Sequence, residues 1–110
     1  MDELTGFSNE PSYRRFLAIA DKIERDPALL AIPLDNIARW LAHPEPLAPH
    51  RRKQWREIIL AAQATPEGMT ALLELLRDDS EEARHLKSFS PFAGVLTREE
   101  RDRFACAYTH

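Results

Sequence analysis

Apolar side chains along this chain recur at three- and four-residue spacing, the interval at which residues share one face of an α-helix. Tyr13, Phe16, Leu17, Ala20 and Ile23 form the first such stripe and predict a helix over residues 10 to 25. Leu34, Ile37, Trp40 and Leu41 form a second. A third, made of Trp55, Ile58, Ile59 and Ala62, lies on a helix predicted over residues 50 to 63. Met69, Leu72, Leu73 and Leu76 give the sharpest periodicity of all. No alternating apolar-polar run of strand length occurs, and neither Asn-Gly nor Asp-Gly is present to turn a hairpin. The pattern predicts an all-α protein.

The polar breaks between the stripes carry the stop and start signals. There are eight prolines against three glycines, and most prolines fall where a helix should begin or has just ended. Asn9-Glu10-Pro11-Ser12 reads as the first helix start, with residues 1 to 9 as a flexible N-terminus. Asp26-Pro27 reads as an N-cap and a first helical position, opening a short turn through Leu30 to Ile32 that Pro33 closes. The helix of the second stripe must stop before His43-Pro44, since a residue preceding proline disfavours helical geometry. Pro44, Pro46 and Pro49 then make residues 43 to 49 a stiff connector. Thr65-Pro66-Glu67 and Ser80-Glu81-Glu82 are cap sequences with acids in the first turn, the second opening a short helix to residue 87. Residues 88 to 96 are apolar but broken by Pro91 and Gly94, and are expected to form an irregular arm or one helical turn and not a strand. Thr97 and Glu100 match a capping box, which starts a last helix that turns Phe104, Ala105 and Tyr108 inward. The fold expected is a single domain over residues 1 to 110, an array of five to seven short helices with proline-punctuated connections.

Composition narrows the class. A hydrophobic fraction of 44% beside a charged fraction of 30% belongs to a globular chain, not a disordered one. Cys106 is the single cysteine, so no internal disulfide and no multi-cysteine metal site can form. The acidic start Met1-Asp2-Glu3 lacks the charge pattern of a secretory signal, and no stretch approaches the ~20 apolar residues that cross a bilayer. A soluble, cytoplasmic protein without membrane contact is expected.

Candidate chemistry is sparse. Gly6, Gly68 and Gly94 are isolated, so no phosphate-cradling loop exists. There is no Gly-x-Ser-x-Gly elbow. Cys106 and His110 share a helix face but read as a packed thiol and a chain-end histidine. His43, Glu45 and His50 crowd the connector without a metal-binding spacing, and Glu81, Glu82 and His85 read as a charged helix start. No enzyme, metal or cofactor is expected.

The strongest concentration of charge is His50-Arg51-Arg52-Lys53-Gln54-Trp55-Arg56, four cations without an acid in a chain of net charge -3. On a helix, Arg52, Lys53 and Arg56 cluster beside Leu60 and away from Trp55, while Arg51 projects toward the apolar edge. Residues 74 to 82 form the opposite patch, with Glu74, Asp78, Asp79, Glu81 and Glu82 against Arg77. Leu60 and Leu75 lie off the main stripes. These features predict a non-enzymatic module that binds another protein in a regulatory or accessory role. Its candidate surface is Arg52, Lys53 and Arg56 with Phe89 and Phe92 as apolar anchors. The alternative is a nucleic-acid-binding regulator that uses the same cations, disfavoured by the overall acidity and by a connector too long for a helix-turn-helix. The acidic patch offers the cations a partner either within the molecule or head-to-tail between copies, the latter giving a homo-oligomer.

Overall fold

The computed structural model describes the backbone of residues 2–109 and the side chains of residues 12–103. Six α-helices and one 3-10 turn follow in order: α1 Asp2–Arg25, the turn Pro27–Leu30, α2 Ala31–Leu41, α3 Pro49–Ala64, α4 Pro66–Arg77, α5 Glu81–Lys87 and α6 Arg98–Thr109. No strand occurs among the described residues, so the fold is all-α as the periodicity predicts. Helix α1 packs on α4 and α6, and α3 packs on α2 and α4.

Two prolines are used differently from expectation. Helix α1 begins at Asp2, so Pro11 stands inside it and the segment expected ahead of the helix belongs to it. Proline costs the helical ladder one donor and crowds the preceding turn, but its own φ is helical, so a helix with an apolar face to bury can run through it. Pro33 is the third residue of α2 and does not close the preceding turn. Its missing N–H falls in the first turn, where amides have no acceptor within the helix. The Ala31 amide donates to the carbonyls of Ala28 and Leu29, so the 3-10 turn flows directly into α2.

The stripes converge on one core of Ile23, Leu30, Ile37, Trp55, Ile59, Leu72 and Leu76, all fully buried. Helices α3 and α4 are joined through Thr65 alone, whose hydroxyl accepts from the Gly68 amide at 2.9 Å. Gly68 is where the two backbones meet: a Cβ there would lie 2.1 Å from the Ala61 carbonyl oxygen.

The arm from residue 88 to residue 96 seals the core with Phe92, Val95 and Leu96. It is irregular, as expected, so its carbonyls have no ladder and must be satisfied otherwise. Side chains of three helices supply the donors. Buried Asn36 of α2 donates through Nδ2 to the carbonyls of Pro91 and Ala93, each at 2.8 Å. Arg52 of α3 donates to Phe89 O at 3.1 Å, and Lys22 of α1 to Val95 O at 2.9 Å. The Trp55 indole donates to Leu86 O at 3.0 Å, just ahead of the arm. The capping box forms as expected: the Glu100 amide donates to Thr97 Oγ1 at 3.1 Å and the Thr97 amide to Glu100 Oε1 at 2.7 Å. Lys22 also reaches that carboxylate at 2.8 Å, tying α6 to α1.

Candidate functional site

The connector between α2 and α3 ends in Ala48 at φ +48, the one non-glycine residue with positive φ among those described. A left-handed residue is costly when it carries a Cβ, and more so directly ahead of a proline. This turn delivers Pro49 to the first position of α3 and leaves Leu47 projecting into solvent, 78% exposed. Strain of this kind persists only where the surrounding structure holds it. Here the brace is Arg52, one turn into α3, which donates to Phe89 O and, at a long 3.4 Å, to Leu47 O.

The same guanidinium lies over the ring of half-buried Trp40, with Cζ 4.0 Å from its centroid. Arg39, Trp40, His43, Glu45, Pro46, Leu47 and Arg52 together line a groove of about 350 Å³. The Glu45 amide donates to His43 Nδ1 at 3.1 Å, which fixes the turn of the groove wall. Arg39 pairs with Asp35 at 3.3 Å, with both side chains largely exposed, and also donates through Nη2 to Oδ1 of Asn36. Among the described residues Arg52 has only carbonyl acceptors, so its positive charge is held in place and not cancelled there.

The structure distributes the expected interaction residues unequally. Arg52 is built into the fold. Lys53 and Arg56 are exposed on the outer face of α3, as is Leu60 at 47%. Phe89 is half-buried, with Arg51 5.9 Å over its ring and His85 against its edge. Phe92 is a core residue, 3% exposed and set edge-on to Trp55 at 5.4 Å, so it cannot anchor a partner. In an arm without a helical period, nothing in the sequence marks which of the two phenylalanines turns inward. Trp40 and Leu47 take the place of Phe89 and Phe92 as apolar features beside the cations. Trp40 belongs to the second stripe, which conceals it as a core residue. The available signal for Leu47 is an apolar residue inside a proline-rich connector.

The acidic patch is tied into the fold at Arg77, Asp78 and Asp79, the last 3.9 Å from Arg84. Arg77 bonds Asp21 at 2.9 Å and Glu24 at 2.8 Å, and these carboxylates, Glu24 first, raise its pKa. Asp78 accepts from the Ser80 amide at 2.8 Å. Lys87 is buried, donating to Leu76 O at 3.2 Å and Asp78 O at 2.6 Å beneath the ring of Phe16. No group of three potential metal ligands is brought together among the described residues, whether at His43, Glu45 and His50 or at Glu81, Glu82 and His85. Leu75 packs against the core, whereas Leu60 stays exposed. Phe104, Ala105, Cys106, Tyr108 and His110 lie outside the described side chains. Among the described residues no helix is long and apolar enough to cross a membrane. Among family models, curated proteins and solved structures, none matches this chain.

Proposed function

We propose that the chain is a non-enzymatic protein-binding module that docks an acidic segment of a partner protein. An apolar side chain of that segment fills the groove between Trp40 and Leu47, and its carboxylates face Arg52, Lys53 and Arg56. The observation that carries this reading is Leu47: a leucine held 78% exposed by a strained turn, beside a tryptophan and a cation whose charge no carboxylate cancels. Exposing an apolar side chain next to an aromatic ring and a cation suits a partner that brings both apolar area and negative charge. Residues 50 to 56 contain no acid, which continues the positive field along α3.

A photo-crosslinking amino acid placed at position 47 in the native cell tests the reading. Crosslinks are expected on one protein, at an Asp/Glu-rich segment holding an aliphatic or aromatic residue, and are expected to disappear in the double variant Lys53→Glu/Arg56→Glu. Leu47→Asp should weaken the purified complex about tenfold, the equivalent of losing burial of one leucine. Crosslinks confined to neutral or basic segments would refute it. Crosslinks to nucleic acid, with binding that falls steeply with salt, would instead establish the nucleic-acid alternative.

A further inference from the structure

A second cavity, remote in composition from the Trp40 groove, opens between α1, the arm and the start of α6. It has a volume of about 270 Å³, and its apolar lining comes from Phe16, Ile19, Phe92 and Leu96. Arg15 of α1 and Arg101 of α6 are its two charged residues, and no acid lines it. Neither guanidinium is engaged by an ion pair or hydrogen bond among the described residues. The carboxylate of Glu100, next to Arg101 in sequence, is already taken by Lys22 and the Thr97 amide.

We infer that this cavity binds a small hydrophobic carboxylate, an aliphatic or aryl acid whose body lies on Phe16, Ile19 and Leu96 and whose carboxylate is shared by Arg15 and Arg101. Two cations facing an apolar hollow leave a field that one anion relieves, and guanidinium groups match a carboxylate with paired N–H donors. The hollow is pre-formed, because the arm that floors it is fixed by Asn36 and Lys22, so little ordering is spent on binding. Its volume lies near the low end of the ~300–1,000 Å³ typical of small-molecule sites, which selects a small ligand over a large one.

Octanoate and octan-1-ol, titrated into the full chain and followed by amide chemical shifts, separate charge from apolar burial. The expected result is octanoate binding at least tenfold tighter than octan-1-ol, with shifts at Phe16, Gly94 and Leu96. The double variant Arg15→Gln/Arg101→Gln is expected to abolish that preference, leaving octan-1-ol binding and the melting temperature unchanged. Ala93→Trp, at an exposed position on the rim, should block both ligands. Equal binding of acid and alcohol, a preference that survives in the double variant, shifts that map to Trp40 and Leu47, or no binding of either ligand at millimolar concentration would each overturn the inference. Leu47→Asp, which tests the docking groove, should leave octanoate binding intact, so the two sites fail or stand separately.

Discussion

Arg52 joins three parts of the molecule through one planar group: it covers Trp40 of α2, rises from α3, and bonds the arm at Phe89 O. A cation–π contact of this kind contributes about 0.5–1 kcal/mol, and a hydrogen bond from a charged donor about 1.5–3. Arg52→Ala should therefore lower stability by about 1–3 kcal/mol in urea titration. Arg52→Lys keeps the charge but loses the flat face and the forked donors, so it should recover less than half of that loss, about 1 kcal/mol at most. Full rescue by lysine would show that charge alone matters at this position. Lys87 is the contrasting cation. Burial, its largest cause, lowers its pKa from the ordinary 10.5, and the charges of Asp79 and Asp78 only partly oppose it. The folded chain then holds this proton less tightly than the unfolded chain. Folding consequently gains as pH rises through the lowered value toward 10.5. Yet Lys87 also satisfies carbonyls at the end of α4, so Lys87→Met should cost about 1–3 kcal/mol near neutral pH and should flatten the gain as pH rises from neutral toward 10.5. Denaturant midpoints of both proteins across that range check both statements.

Helices α3 and α4 depend on the absence of a side chain. With the Ala61 carbonyl oxygen 2.1 Å from where a Gly68 Cβ would lie, and with backbone on both sides of the contact, the pair must separate to admit a methyl group. Gly68→Ala should destabilise by about 3 kcal/mol despite alanine's better helix propensity, which a thermal melt detects as a loss of several degrees. Gly68→Ala with unchanged stability would mean that the two helices are not in backbone contact. At the start of α6, Lys22 and then the Thr97 amide hold the Glu100 carboxyl at a pKa of about 2, against its ordinary 4.5. A depressed carboxyl stabilises fully above 4.5 and loses that contribution as pH falls toward about 2. Glu100→Gln should cost about 1 kcal/mol at neutral pH and shrink the difference from wild type on acidification, read as converging denaturant midpoints. The caps at Thr65, Ser80 and Thr97 were legible in the sequence because each is a local hydrogen-bonding device with fixed spacing. Pro33 was not, because proline at a first turn and proline just beyond a helix obey the same local rule and packing decides between them; nor was Pro11, which stands inside α1 where the local rule predicts a helix start. Gly68 carries no local signal at all, since its role lies in a neighbour across the interface.

For the whole molecule, the arm distinguishes this fold from a bundle of helices closed by apolar stripes alone. Its apolar residues complete the core, but its path is set by Asn36, Arg52 and Lys22, whose partners are remote in sequence. Periodicity located α1 to α4 and cap sequences located α5 and α6, but neither marked the Trp40 groove, because Leu47 owes its exposure to a strained turn and Trp40 its cover to a stacked guanidinium that only the assembled chain creates. The basic run at residues 50 to 56 overstates the free charge, since Arg52 is spent on structure. If the arm is the common tie among α1, α2 and α3, damage at its anchor should weaken the entire protein and not one segment. Asn36→Ala removes both Nδ2 donors and leaves the Pro91 and Ala93 carbonyls without a side-chain partner. The expected loss is about 2–4 kcal/mol, a large share of the ~5–15 kcal/mol that holds a domain of this size. Unfolding should remain a single transition, with Trp40 and Trp55 fluorescence coinciding with far-UV dichroism. A fluorescence transition that precedes the loss of helix would instead show that the arm detaches alone while the helices α1 to α4 stay packed without it.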